Sequence, residues 1–270
     1  MKPARFDYAA PGGLDEAAAL LAATPDAKLI AGGQTLGPML NLRLVQPALL
    51  VDITRIPDLI AVDEDDAWIS YGACVTHAAI EDGRVPDVTN GILPRIARGI
   101  AYRAVRTRGT IGGSLAHADP AADWLTALTA LGAEVTAYDG RSERRIAVRD
   151  LMTGVFETAL GSDEILTAVH VPRLSGEARL GYYKICRKTG EFADAIGAVL
   201  RDPERRLVRG VAGATEAAPI VLDDLSGPDG TSVLDAHALR QDLRTHGLTE
   251  AYALQVHAVA LERALAEALA

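Results

Sequence analysis

The sequence predicts a mixed α+β fold built from three successive units. Three observations carry this. Short apolar, strand-like segments alternate with Ala- and Leu-rich helical ones. Two Gly-Gly turns each lead from an apolar segment toward a helix. A cluster of strand-like runs after Pro172 is followed by a long Ala/Leu helix that ends the chain. With 270 residues, 49% of them hydrophobic, the chain can bury a sizeable core divided over two or three subdomains.

The first unit is expected over residues 1–57. Residues 14–23 are helical, bounded by Gly12-Gly13 before and Pro25 after. Lys28-Leu29-Ile30 reads as a short buried strand, and Thr35 suits the N-cap of a turn or helix over 36–41. Residues 49–53 read as a strand, completing a β-α-β-type unit near 55–58. The second unit, 58–173, opens with a strand at 68–72. It contains helical stretches near 76–81, 92–100 and 120–131, then strands at 134–138 and 165–171, and Asp139-Gly140 is a hairpin signal. The third unit, 174–270, carries strands at 178–184, 193–200 and 207–212 and a Gly/Pro/Asp loop at 225–232. Its long helix begins after Thr249 as N-cap. No internal repeat and no low-complexity segment is present.

The most informative run is Thr110-Ile111-Gly112-Gly113-Ser114-Leu115-Ala116-His117-Ala118-Asp119-Pro120-Ala121-Ala122-Asp123. Its glycine pair lets backbone N–H groups approach a ligand without Cβ interference. Asp119 suits the N-cap and Pro120 the first position of a following helix, whose positive end favours an anion such as a phosphate. A second loop of this kind, Ala31-Gly32-Gly33-Gln34-Thr35-Leu36-Gly37-Pro38, lies upstream. Neither has the Lys-Ser/Thr of a P-loop or the order of a Rossmann turn. Two readings stand open: tight turns, or a pair of loops gripping both phosphates of a dinucleotide.

Taken together these residues resemble the FAD-binding medium subunit of the molybdenum hydroxylases, the group of carbon monoxide dehydrogenase, xanthine dehydrogenase and aldehyde oxidoreductases. The matching segments are the upstream glycine loop, Leu42-Arg43-Leu44, Arg106-Thr107-Arg108-Gly109-Thr110-Ile111-Gly112-Gly113-Ser114, His117-Ala118-Asp119-Pro120 with Asp123, Asp163-Glu164-Ile165-Leu166, and Tyr183-Lys184-Ile185-Cys186-Arg187-Lys188-Thr189-Gly190-Glu191-Phe192-Ala193. The resemblance covers nearly the whole chain and weakens after about Pro219.

The resemblance implies a two-part FAD-binding domain of the vanillyl-alcohol-oxidase/PCMH type followed by a smaller C-terminal α+β domain. It implies non-covalent FAD, with the diphosphate met by the backbone of Gly32, Gly33, Gln34 and Thr35 and of Thr110, Ile111, Gly112, Gly113 and Ser114. The hydroxyls of Thr35, Thr110 and Ser114 would add donors, and Ala31, Leu36, His117 and Asp119 lie beside these loops. Asp123 matches a position that accepts from adenosine or ribityl hydroxyls; the other reading is an ordinary first-turn acid. Ile100 falls beside the adenine, and Ile165 and Leu166 against the cofactor. Lys184 matches the FAD-contacting lysine, with Lys188 as runner-up; either reads equally as a surface lysine. Phe192 stands where a tyrosine is common, Gln34 replaces a histidine common among relatives, and Ser114 stands where acidic or amide residues are frequent.

The function so implied is electron transfer. Electrons come from a separate [2Fe–2S] small subunit and leave to NAD⁺, oxygen or another acceptor. Substrate hydroxylation belongs to a molybdopterin large subunit. Two rivals are a free-standing flavin-dependent oxidoreductase, for which no clear acid–base pair is found, and a structural subunit without cofactor, against which the intact glycines argue.

Charge narrows the field further. The net charge of −9 argues against nucleic-acid or anionic-membrane binding. Arg103, Arg106 and Arg108 cluster before the second glycine run, either as a solvated face or as compensation for a phosphate. Cys74 and Cys186, the two cysteines, are too few for an iron–sulfur cluster and read as small buried hydrophobes. The first residues lack an apolar signal region and no run approaches a bilayer span, so the expected location is the cytoplasm. Neither His77, His117 nor His170 has metal-ligand spacing with another residue, and no nucleophile elbow occurs.

Overall fold

The computed structural model describes residues 2–223, 225 and 236–270. Three strands make the first sheet: β1 (Asp7–Ala9), β2 (Lys28–Ile30) and β3 (Leu49–Asp52), all parallel in the order β1-β3-β2. Helices α1 (Leu14–Ala23) and α2 (Leu36–Asn41) connect them. The central β3 buries Leu49, Leu50 and Val51, which explains its apolar run. Expected as buried, β2 is an edge strand instead, with Lys28 exposed and Leu29 and Ile30 half-buried.

A five-stranded antiparallel sheet follows. After β4 (Val62–Glu64) and β5 (Trp68–Gly72) come α3 (His77–Glu81), α4 (Ile92–Gly99), α5 (Arg103–Arg106), α6 (Ile111–His117) and α7 (Asp123–Leu131). Then come β6 (Glu134–Tyr138), β7 (Glu143–Ala147), α8 (Val148–Leu151), the hairpin β8 (Met152–Gly154) and β9 (Glu157–Thr158), and β10 (Ile165–Pro172). Strand order is β4-β5-β10-β6-β7. The predicted hairpin joins β6 to β7. Asp139 Oδ1 accepts from the N–H groups of Arg141 (2.8 Å) and Ser142 (2.7 Å), and Gly140 takes a φ of +88° that suits glycine.

Two helix starts differ from expectation. Gly112 and Gly113 do not precede a helix; they form the first turn of α6, whose N-cap Thr110 accepts from the Gly113 N–H at 3.1 Å. Asp119 closes a local turn through the Ala121 N–H (2.9 Å), and α7 begins only at Asp123 with Ala122 as N-cap. The chain leaves α6 through Ala118 at φ +49°, which reverses its direction before a new helix can start.

The third sheet is an antiparallel meander of β11 (Arg179–Ile185), β12 (Ala195–Asp202), β13 (Leu207–Gly213) and β14 (Ile220–Leu222). Helices α9 (Ala236–Thr245) and α10 (Ala251–Leu269) follow. The cap of α10 is Glu250 rather than Thr249, because its carboxylate reaches the N–H groups of Tyr252 (3.0 Å) and Ala253 (2.6 Å). Of the predicted loop 225–232, all but Leu225 lies outside the described residues.

Glycines let helices close on both faces of this sheet. A Cβ at Gly197 would lie 2.4 Å from the Ala260 backbone of α10, and one at Gly213 would lie 1.7 Å from Thr126 Oγ1 of α7. The third sheet is therefore sandwiched between its own α10 and the α7 that carries Asp123. Gly197→Ala is expected to push α10 off the sheet and destabilise by about 1–3 kcal/mol, read as a lower urea midpoint at unchanged m-value. An unchanged midpoint would contradict this contact. Among the described residues, no helix is long and apolar enough to cross a membrane.

Candidate cofactor site

The first glycine loop offers free donors. It leaves the end of β2, turns at Gly33 with φ +68°, and enters α2. The carbonyls of Gly33 and Thr35 accept from Gly37 (2.9 Å) and Met39 (3.1 Å), so the loop's acceptors face the helix. Gln34 braces the turn by donating Nε2 to the Gly32 carbonyl at 3.1 Å. Among the described residues, no acceptor takes the N–H of Gly33, Gln34, Thr35 or Leu36, and Thr35 sits at the N-cap without a side-chain capping bond. A row of unpartnered N–H groups, with Gln34 and Thr35 exposed, is an anion-binding concavity and fits a diphosphate.

The second glycine run does something else. Four of its five N–H groups are occupied: Ile111 donates to Val75 O (3.0 Å), Gly112 to Ala73 O (2.9 Å), Gly113 to Thr110 Oγ1 (3.1 Å) and Ser114 to Thr110 O (3.0 Å), whereas that of Thr110 has no acceptor among the described residues. The backbone from Ile111 to Ser114 thus spends its donors inside the protein, and Gly112 serves close packing. A Cβ on Gly112 would lie 2.5 Å from the Cβ of Ala73, and one on Gly32 would lie 2.0 Å from the Arg108 carbonyl oxygen. The two loops are therefore in backbone contact, Gly32 against Arg108-Gly109, with Ala31 beside exposed Gly113. The half-buried Ser114 keeps a hydroxyl with no partner among the described residues.

Other predicted residues fall around this junction. His117 is half-buried at the end of α6, stacked on Phe156 at 5.0 Å between ring centroids. Ile165 and Leu166 lie on the central strand β10, 0% and 5% exposed, so they form the floor rather than an open wall. Ile100 caps the C-terminus of α4, and Phe192 is 71% exposed on the β11–β12 connection.

Asp123 and Lys184, each expected to face the ligand, are bonded to each other at 2.9 Å, with side chains 6% and 12% exposed. Tyr182, which sequence reasoning missed, also donates to Asp123 Oδ1 at 2.7 Å. Its signal was the alternation of Tyr182 and Lys184, which places both on one face of β11. Burial, then the Asp123 carboxylate, pushes the Tyr182 hydroxyl well above its ordinary range. Lys188 is exposed and paired with Glu191 at 3.3 Å.

Two of the three clustered arginines are neutralised by carboxylates of this chain. Arg103 bonds Glu81 and Asp82, and buried Arg106 bonds both oxygens of Glu81. Arg108 is exposed. Cys74 is buried and its thiol is pushed up to about 12 by burial, whereas Cys186 is only half-buried, a departure from the expectation. Among the described residues no cluster of His, Cys, Asp or Glu has metal-binding geometry.

His77 lies directly beneath the second loop. Its backbone N–H bonds the Gly109 carbonyl (2.9 Å), and Nδ1 accepts from the Trp124 indole N–H (3.0 Å), which leaves the proton on Nε2. Burial, helped by nearby Arg106, lowers His77 to about 4. His170, between the hydroxyls of Ser70 and Thr136 at 2.7 Å each, is likewise lowered to about 4 by burial. An unfolded histidine titrates near pH 6.5, so below that value the unfolded chain binds protons that the folded chain refuses. Stability is expected to fall between about pH 6.5 and 4, by about 3 kcal/mol for His77 alone. Urea midpoints at pH 7 and pH 4.5 test this; an equal or higher midpoint at pH 4.5 would refute it.

Comparison with known proteins follows the same outline. Residues 4–174 match the family model described as the FAD binding domain in molybdopterin dehydrogenase. The 6-hydroxypseudooxynicotine dehydrogenase complex subunit alpha of Paenarthrobacter nicotinovorans is 37% identical over 287 aligned positions, covering 100% of this chain and 96% of that protein. A chain of carbon monoxide dehydrogenase from Hydrogenophaga pseudoflava superposes with a TM-score of 0.89 at 28% identity, covering 100% of this chain and 99% of that one. One of quinoline 2-oxidoreductase from Pseudomonas putida 86 does so with a TM-score of 0.86 at 30% identity, covering 99% and 98%.

Proposed function

The chain belongs to the family of FAD-binding domains of the molybdopterin dehydrogenases, and from that membership we propose that it is the electron-transfer subunit between an iron–sulfur partner and a final acceptor. It is a FAD-binding medium subunit of the oxidoreductase type. The finer reading is that a [2Fe–2S] small subunit delivers electrons and a molybdopterin large subunit carries out hydroxylation, in a heterotrimer located in the cytoplasm. NAD⁺, oxygen or another acceptor then receives the electrons. On this reading the chain divides at 57/58 and 173/174.

The observation that carries the proposal is the row of free N–H groups from Gly33 to Leu36, fixed in place by Gly32 against Arg108. FAD, when bound, supplies the exchange between one-electron and two-electron transfer. The protein's part is to bind and orient. The first loop would hold the diphosphate with backbone donors, joined by the hydroxyls of Thr35 and Ser114. The second loop sets the first one's position by contact. Lys184, steered by Asp123 and Tyr182, would place a cation at the flavin end, where positive charge favours the reduced form. Phe192 would cover the ring from the β11–β12 connection, and Ile100 the adenine.

The three compared proteins are named for a pseudooxynicotine, carbon monoxide and quinoline, so substrate choice varies across partners of one medium-subunit fold. The test is to recover the chain from its native host with an affinity tag and assay metals. Iron and molybdenum in stoichiometric amounts, with flavin reduced on substrate addition, are expected. A chain that is recovered alone and turns over substrate by itself would contradict the subunit role.

A further inference from the structure

We infer that Arg106 is a positioning residue that shapes the adenine side of the FAD site by holding the Ile100–Tyr102 turn against the β11–β12 connection. The inference rests on the FAD reading above and extends it to a residue that makes no contact with the cofactor in that reading.

Arg106 is 8% exposed, and four of the five N–H donors of its guanidinium are used. Nε and Nη2 meet Glu81 Oε2 and Oε1 at 2.8 and 3.0 Å, a bidentate pair that fixes the plane of the group. Nη1 then reaches the carbonyls of Ile100 (3.0 Å) and Ala101 (3.2 Å). These two carbonyls belong to a turn that does not form unaided, since Ala101 sits at φ +42°, a region that residues with a Cβ avoid. The same carbonyl of Ala101 is also close to Gly190, where a Cβ would lie 2.6 Å away. Gly190 itself takes φ +89° and lies two residues before Phe192.

One buried arginine thus sets a turn that carries Ile100 at one end and supports the Phe192 connection at the other. Arg106 also ends the short helix α5, three residues before Gly109, so it bridges the adenine-side turn and the loop against which Gly32 rests. Glu81 is not stranded if Arg106 is removed, because Arg103 Nη1 bonds it at 2.7 Å. A substitution therefore releases the turn while leaving the acid paired.

The test titrates flavin-free whole chain with FAD and separately with FMN, following flavin fluorescence, for wild type, Arg106→Met and Gly190→Ala. FMN lacks the adenylate half, so it reports the rest of the site. If releasing the turn leaves about a tenth of molecules competent, apparent FAD affinity falls about tenfold, while FMN affinity, touched only through the Phe192 connection, falls less. Gly190→Ala, which keeps Arg106 and presses on the Ala101 carbonyl, is expected to show the same larger loss for FAD than for FMN. It lies in an exposed connection, so it remains informative if Arg106→Met does not fold. Methylguanidinium added to Arg106→Ala is expected to restore part of the lost FAD affinity, which a general loss of packing would not permit. Equal losses for FAD and FMN, or unchanged FAD affinity in Arg106→Met or Gly190→Ala, would overturn the inference while leaving the FAD reading intact. Wild type that takes up no FAD would overturn both.

Discussion

Gly32→Ala is expected to strip the chain of flavin while leaving most of the fold in place. The added Cβ would lie 2.0 Å from the Arg108 carbonyl oxygen and 2.8 Å from the Gly109 Cα, both backbone atoms that cannot rotate away. The first loop must then move off the second, and the donors of Gly33 to Leu36 move with it. Overpacking of this kind costs about 1–3 kcal/mol, which a chain with a core this extensive survives. The apparent affinity for FAD falls by the fraction of chains that still reach the closed arrangement, on the order of tenfold or more. Gly37→Ala is the control, because a Cβ there meets nothing within 4 Å. The measured quantities are the flavin-to-protein ratio after gel filtration and the melting temperature without FAD. Full flavin occupancy in Gly32→Ala would show that contact between the loops does not set the site.

Asp123→Ala is expected to be the more damaging change for stability, and more damaging than Lys184→Met. Removing the carboxylate leaves the Lys184 ammonium 12% exposed with no counter-charge and takes away the acceptor of the Tyr182 hydroxyl. Breaking a buried pair in this way costs about 3–5 kcal/mol. Lys184→Met leaves Asp123 with the Tyr182 hydrogen bond and a position at the start of α7, where the helix dipole favours a negative charge. Its cost is expected near 1–2 kcal/mol, the worth of a charge-assisted bond. Chemical denaturation of both variants at pH 7 tests the order, and a reversed order would contradict it. Because β11 carries Lys184 and α7 carries Asp123, the same bond also ties the third sheet to the flavin-binding half.

Much of the architecture was legible because local pattern and final environment agree. Leu14–Ala23, Lys28–Ile30, Trp68–Gly72 and Glu134–Tyr138 begin and end where composition and turn residues place them. β1, β4 and β14 were missed because three-residue strands carry too little alternation to register by themselves; Lys28–Ile30, equally short, was found from the glycine loop that follows it. The start of α6 was misplaced for a tertiary reason. A Gly-Gly pair disfavours helix by its own propensity, but the carbonyls of Val75 and Ala73, distant in sequence, accept its first N–H groups, and Thr110 caps it.

The site was legible as a set of residues and less so as a set of roles. Both glycine loops were found, and their meeting at Gly32 follows the expectation that they act together. That one loop would offer its donors while the other spends most of its own depends in part on partners outside either motif, the carbonyls of Ala73 and Val75. The basic cluster stayed open between two readings for a related reason: Glu81 and Asp82, which neutralise Arg103 and Arg106, lie more than twenty residues upstream of them. Asp123 and Lys184 were both singled out, yet their bond spans 61 positions and no local spacing encodes it.

The measurement closest to the central claim is an absorption spectrum of the purified chain, taken before and after heat release of any chromophore. The account predicts flavin bands, and free FAD rather than FMN in the released fraction. If the cofactor is lost in purification, it predicts that FAD at a hundredfold excess over its dissociation constant raises stability by about 2.7 kcal/mol. A colourless chain that takes up no FAD and melts at the same temperature in its presence would contradict the account.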